Sequence, residues 1–264
     1  MLGIQAERIA DIVLTPPEES VKVVEEARPR NSIVPSIEVR NVSYRYATGE
    51  PWVLRNVSME IKPGESVAIA GPSGCGKTTL LKIILGQLQP EEGDVLIGGI
   101  AIKQLGLKAY RELIGVVMQD DRLFAGSLAE NIAFFDHATD QARIEEVAKF
   151  ASIHDDILKM PMGYHTLIGD MGTGVSGGHR QRIVLARALY KKPSILFLDV
   201  ATSHLDTGTE AVVNQAVKQL LMTRVTIAHR PQTLQMADRL IILGGSSNND
   251  TPLGSDERAG AVTS

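Results

Sequence analysis

Gly71-Pro-Ser-Gly-Cys-Gly-Lys-Thr-Thr79 decides how the rest of this chain is read. The stretch fits G-x-x-x-x-G-K-[ST] at every fixed position, the pattern of a phosphate-binding loop. Its flanks agree, since Glu65 to Ala70 reads as a short buried strand and Thr79 to Leu85 as a helix. In a strand–loop–helix unit of this kind, Gly71, Gly74 and Gly76 let the backbone curl until successive N–H groups point at phosphate oxygens. The helix N-terminus adds positive potential. Lys77 then reaches the β- and γ-phosphates, and the Thr78 hydroxyl ligates Mg²⁺. Pro72, Ser73, Cys75 and Thr79 complete the nucleotide-binding stretch. The residues predict a site for a nucleoside triphosphate.

The composition sets bounds around that loop. With 264 residues the chain is long enough to bury a sizeable core. Hydrophobic residues make up 44% and charged residues 22%, ordinary for a globular protein. A net charge of −4 gives no global attraction to nucleic acid. Cys75 is the single cysteine, which excludes a disulfide or a cysteine metal cluster within one chain. Apolar runs such as Ile114 to Met118 are too short to span a bilayer. A soluble chain is therefore expected.

Residues 1–35 read as a lead-in or linker, because Thr15-Pro-Pro17 ends a short apolar pattern and a charged, Pro-containing stretch follows. Ile37, Val39 and Val42 among Glu38 and Arg40 predict a half-exposed strand. Trp52 to Ile61 predicts one or two more, and Pro63-Gly64 a turn into the loop strand. Gly86 is placed to end the loop helix. Val95 to Ile97 and Ala101-Ile102 around Gly98-Gly99 predict a hairpin. Leu128 to Met160 and Arg180 to Tyr190 read as largely helical. Another helix is expected from Thr207 to Leu221, with strands at Ile195–Leu198, Val225–Ile227 and Leu240–Leu243. From residue 244 to 264 the composition predicts a disordered tail. Alternating strands and helices indicate an α/β fold around a largely parallel sheet.

The second half of a phosphate-loop site needs a hydrophobic strand ending in a carboxylate. Ser194-Ile-Leu-Phe-Leu-Asp199 supplies it, with Asp199 holding the Mg²⁺ shell. Between the two motifs lies Val175-Ser176-Gly177-Gly178-His179, opening the helix that leads to Asp199. A Ser and two glycines at a helix start make another anion site. With these residues the chain resembles the nucleotide-binding domain of ATP-binding cassette (ABC) transporters over about residues 37–243. Gln5 to Glu18 looks like the linker after the last membrane helix of exporters of the colicin V and bacteriocin type. Phe124 to Ile132 looks like the segment after the glutamine loop in exporter cassettes, so the finer resemblance is to these exporters.

That resemblance implies a P-loop NTPase (RecA-like) core, an N-terminal antiparallel β subdomain and an α-helical subdomain inserted at about 120–182, within a domain spanning 36–243. It implies ATP and Mg²⁺ as ligands. Tyr46 matches the aromatic that stacks on adenine, and Gln119 the loop glutamine that contacts Mg²⁺. Ser203, His204, Leu205 and Asp206 match the loop crossing the dimer interface, and His229 the switch histidine at the γ-phosphate. The partners implied are a second nucleotide-binding domain, closing head-to-tail, and the transmembrane domain of an exporter. No nucleic acid is implied. Through the membrane domain the chain would lie at the cytoplasmic face of the inner or plasma membrane.

Three positions depart from the family pattern. Val200 stands where the family has the glutamate that polarises the attacking water, and valine can neither accept a proton nor hold a water. His179 replaces the usual signature glutamine. The polar tail after Leu243 replaces further strand and helix. Besides an exporter ATPase, two other readings stay open: a nonhydrolytic cassette that pairs with an active one, and an ABC ATPase of DNA repair or translation.

Overall fold

The computed structural model describes residues 33–118, 120–169, 174–199, 217, 220, 222–227, 237–244 and 249–252. An antiparallel sheet opens this part of the chain. β1 (Ile37–Tyr44) pairs with β2 (Leu54–Ile61) on one side and β4 (Glu92–Ile97) on the other, and the two-residue β5 (Ile100–Ala101) extends it in the order β2-β1-β4-β5. Strict alternation would put Val42 on the opposite face from Ile37 and Val39, yet all three are buried. A bulge removes the conflict. The register of β1 shifts between Val39 and Val42, and Asn41 takes a left-handed φ of 49°. Gly93 makes room opposite: at φ +83°, a Cβ there would lie 2.2 Å from the Arg40 carbonyl oxygen.

The second sheet carries the phosphate loop. Its order is β12-β11-β3-β10-β9-β6, built from β3 (Ser66–Ala70), β6 (Ile114–Val117), β9 (Ile195–Asp199), β10 (Thr223–Ile227), β11 (Arg239–Ile242) and β12 (Asn249–Pro252). The five strands from β11 to β6 run parallel. Val67, Ala68 and Ile69 of β3 and Ile195, Leu196 and Phe197 of β9 are fully enclosed, as strands covered on both faces must be. At the opposite edge β12 pairs antiparallel with β11. The expectation of a structureless tail is therefore corrected at residues 249–252, where main-chain pairing offsets the weak hydrophobicity of Asn249-Asp-Thr-Pro252.

Helix α1 (Lys77–Ile84) follows the loop and buries Leu80, Leu81, Ile83 and Ile84. It starts at Lys77, two residues before the sequence pattern predicts. Gly86, at φ +71°, ends it, with the Gln87 N–H donating to the Lys82 carbonyl at 2.9 Å. Two short helices, α2 (Ile102–Leu105) and α3 (Leu107–Leu113), were not legible as such in the sequence. From α3, the buried Tyr110 hydroxyl donates to the Ile84 carbonyl at 2.8 Å, capping α1 from outside.

The predicted helical region comprises α4 (Leu128–Ala133), α5 (Gln141–Phe150), α6 (His154–Leu158) and α7 (Gly177–Tyr190), with a small β7–β8 pairing of Gly126–Ser127 and Leu167–Ile168. Ser127 and Glu130 form a capping box that starts α4. The two faces of β9 divide the interior. Ile195 and Phe197 pack into the core shared by α1 and the antiparallel sheet. Leu196 packs instead with Ile132, Ile144, Ile157 and Ile183 of the helical region. β9 thus ties the phosphate-loop layer to the helical region.

Candidate nucleotide-binding site

The carboxyl ends of the parallel strands gather the chemistry on one edge, where ligands of open α/β sheets sit. β3 runs into Gly71, β9 ends in Asp199, and β10 lies between them with Ile227 paired to both Ile69 and Asp199. Strand β6 runs toward position 119 at the same end. Sequence order alone says nothing of this adjacency.

Within the loop, crowding explains two of the glycines. A Cβ on Gly71 (φ +152°) would lie 2.3 Å from the Leu243 carbonyl oxygen and 2.8 Å from Cys75 Sγ. A Cβ on Gly76 (φ +96°) would lie 2.7 Å from Leu54 Cδ2. Gly74, at φ +79°, has open space and needs glycine for its backbone conformation alone. Lys77 is buried at 5% exposure. Its ammonium donates to the Gly71 and Pro72 carbonyl oxygens, both at 2.8 Å, and lies 3.8 Å from Cys75 Sγ. Pro72, Ser73, Gly74 and Thr78 are exposed around this buried cation. The loop is a positive cradle open to solvent.

Tyr46 lies beyond the end of β1 and is 59% exposed, so it is not a residue of the strand core. Its hydroxyl sits 3.0 Å from Thr79 Oγ1 at the close of the loop, and its ring meets that of Tyr44 edge-on at 5.2 Å. The sequence did not foretell the Tyr46–Thr79 link. Asp199 is buried at 6% exposure. Exposed Thr78 and the Asp199 carboxylate offer only oxygen donors, the set that suits a hard divalent cation such as Mg²⁺.

The signature residues start α7. Ser176 is exposed at the N-cap, and its Oγ accepts from the His179 N–H at 3.2 Å. Val175 is half-buried against the helical core. Gly177 and Gly178 occupy the first turn, whose N–H groups have no intrahelical acceptor. His179 Nε2 lies 3.6 Å from Asp156 Oδ2, and Arg182 Nη1 lies 2.8 Å from the same oxygen. Burial raises the Asp156 carboxyl, but the Arg182 hydrogen bond and charge, with Lys159 and His179, outweigh it and hold the group below its ordinary value. Asp156 and Arg182 are the participants that sequence reasoning missed. No local pattern links residues on α6 and α7 before the chain folds.

Gln119, Val200, Ser203, His204, Leu205, Asp206 and His229 lie outside the described residues, as does the helix expected at 207–221 apart from residues 217 and 220. The described residues on either side of position 119 are tied to each other. The Met118 N–H donates to Asp121 Oδ2 at 2.8 Å, and the Asp121 N–H to the Met118 carbonyl at 3.3 Å. Burial pushes the Asp121 carboxyl above its usual range, against the opposing pull of the Met118 N–H and Arg187.

The protein-family model described as ABC transporter matches residues 54–203, from the start of β2 to four residues past β9. The chain belongs to the ABC transporter family. Among curated relatives of this family, it is 49% identical over 241 residues to the probable microcin-H47 secretion/processing ATP-binding protein of Escherichia coli. It is equally similar to the colicin V secretion/processing ATP-binding protein of Escherichia coli, at 49% over 241 residues. Each match covers 91% of this chain and 34% of the relative, so the chain spans 34% of the length of these relatives. Among solved structures, a bacterial Atm1-family ABC exporter with ATP bound superposes with a TM-score of 0.82 at 34% identity, covering 91% of this chain and 42% of that one. The fold is accordingly that of an ABC exporter's P-loop domain, with its parallel sheet, antiparallel sheet and helices. Among the described residues, no helix is long and apolar enough to cross a membrane.

Proposed function

We propose that this ABC transporter chain is the energy-coupling domain of an exporter of peptides or bacteriocins, binding MgATP between two copies and hydrolysing it slowly. The observation that carries the reading is the pair of anion sites on separate elements. One is the buried Lys77 cradle, and the other is the exposed Ser176 turn at the start of α7. In a head-to-tail dimer the Ser176 turn of one chain would face the γ-phosphate held by the other. The peptide assignment is supported by the secretion/processing proteins to which the chain is similar.

The roles follow from the chemistry. Lys77 and the loop N–H groups neutralise and orient the β- and γ-phosphates, and Tyr46 offers an exposed ring for the adenine. Thr78 and Asp199 would hold Mg²⁺, joined by Gln119; the ion, when bound, draws charge from the bridging phosphate oxygens. His229 would contact the γ-phosphate, and Ser203 to Asp206 would cross the interface. Val200, directly after Asp199, cannot accept a proton from water. Loss of a positioned base lowers the rate about 10²- to 10⁴-fold and leaves binding to the loop.

The membrane domain would sit on the patch beside Met118 and Asp121. Phe124, Phe134 and Phe135 are 49%, 50% and 43% exposed there. A cavity of about 590 Å³ lined by Phe124, Phe134 and Arg187 adjoins them. Exposed aromatic clusters of this kind mark protein contacts. Bound in this way, the chain would lie at the cytoplasmic face of the membrane.

Val200 also favours a second reading, in which the chain pairs with an active cassette and supplies only its Ser176 face. Light scattering of the full chain with MgATP tests the leading reading: a homodimer that forms with MgATP and dissolves without it supports the composite site. A monomer at saturating MgATP that dimerises only with a second cassette supports the alternative.

A further inference from the structure

A stacking platform strengthens binding most when it is fixed before the base arrives. The Tyr46 ring is exposed, so its position has to be set by the segment that joins β1 to β2. The Val53 N–H donates to the Tyr44 carbonyl at 2.9 Å and closes the base of that segment, and the Glu50 N–H donates to the Ala47 carbonyl at 3.0 Å near its tip. Arg45 and Trp52 stand just inside the base on opposite limbs, with the Arg45 guanidinium carbon 4.6 Å from the centre of the Trp52 ring. Nε of the same guanidinium lies 3.0 Å from each carboxylate oxygen of Glu91. Glu91 is placed by its own backbone, its N–H donating to the Ser43 carbonyl at 3.0 Å just before β4 begins. The returning limb also meets the phosphate loop. A Cβ on Gly76 would lie 2.7 Å from Leu54 Cδ2 and 3.0 Å from the Val53 carbonyl oxygen.

We propose that Arg45 is a positioning residue for the nucleotide base, acting through Tyr46, with Glu91 and Trp52 as its brace. The proposal rests on the reading of Tyr46 as the platform for adenine. Arg45 immediately precedes Tyr46, so pinning its side chain across the segment restricts the backbone that carries the Tyr46 ring. The ring itself is then steadied at its two ends, by the edge-on contact with Tyr44 and by the hydroxyl link to Thr79. A guanidinium suits both partners at once: its face covers the indole while an N–H at its edge meets the carboxylate, a combination that an ammonium lacks. The brace stands at the rim, with the Arg45 and Glu91 side chains 24% and 35% exposed, so its effect is modest. A cation–π contact or an exposed ion pair corresponds to about a two- to fivefold change in affinity. That change falls on recognition of the base, because the phosphates are held by Lys77 and the loop N–H groups.

The test measures displacement of a fluorescent ATP analogue from the full chain by MgATP and by magnesium tripolyphosphate, which offers the phosphates without a base. The quantity read is the ratio of the two affinities in the parent, Arg45→Met, Glu91→Ala and Tyr46→Ala. Tyr46→Ala should lower the ratio about 5- to 150-fold, the range for removing an aromatic on which a base stacks. Arg45→Met should lower it about two- to fivefold with tripolyphosphate affinity unchanged, and Glu91→Ala should do the same. A lowered ratio in Tyr46→Ala beside a parental ratio in Arg45→Met overturns the proposal, and an equal loss of both ligands counts as a parental ratio. Should Arg45→Met fail to fold, the Glu91→Ala ratio decides in its place. An unchanged ratio in Tyr46→Ala overturns the adenine reading itself.

Discussion

The Lys77 ammonium lies 2.8 Å from the carbonyl oxygen of Gly71, the residue that opens the loop. The side chain meant for phosphate thus closes its own loop, giving a buried cation an acceptor where an unpaired charge would be costly. Lys77→Ala should weaken MgATP binding about 10- to 100-fold, the range for hydrogen bonds to a charged group. Titration calorimetry would measure it, and an unchanged affinity would refute the assigned role.

Val200→Glu restores a carboxylate one residue beyond Asp199. Single-turnover cleavage of MgATP should rise about 10²- to 10⁴-fold, with nucleotide affinity little altered. Equal rates in parent and variant would show that Val200 does not limit turnover.

Cys75 Sγ stands within the loop, 3.8 Å from Lys77 Nζ. A thiol adduct there occupies the phosphate cradle, so alkylation should abolish nucleotide binding. With MgATP at a hundred times its Kd, the alkylation rate read by mass spectrometry should fall about 100-fold. Equal rates with and without nucleotide would place Cys75 outside the site.

Asp156 predicts an acid dependence of stability. Its folded carboxyl titrates below its ordinary value, because Arg182 and its neighbours outweigh the effect of burial. Such a group stabilises the fold above its unfolded pKa, and the contribution is lost as pH falls through the folded one. Urea unfolding between pH 3 and pH 7 should therefore show stability falling in the acid limb, with a shallower fall in Asp156→Asn. Parallel curves would remove Asp156 from the account.

Tyr110→Phe deletes the donor to the Ile84 carbonyl while keeping the ring. Leaving that buried acceptor unpaired should cost about 1–3 kcal/mol in urea unfolding. A loss below about 0.5 kcal/mol would show that another donor reaches Ile84.

The strands and helices nearest the loop were legible because their signals are local. The enclosed strands β3 and β9 read as apolar runs, and α1 read as a helix ended by Gly86. Elsewhere local signals fell short. The helix pattern placed the start of α1 at Thr79, two residues after Lys77, where it begins. Val42 fitted the buried face only because a bulge at Asn41 reset the alternation. Asn249–Pro252 pairs as a strand through its backbone, which composition does not report.

By itself, the sequence determined the phosphate loop, the carboxylate at the end of β9 and the Ser-Gly-Gly helix start. Each of these depends on a backbone conformation or charge encoded within a few neighbouring residues. Only the tertiary structure decided that β10 lies between β3 and β9, that Tyr46 reaches Thr79, and that Asp156 gathers Arg182 and His179. Those relations join residues far apart in the chain, and they arise when sheet pairing and core packing bring the elements carrying them together.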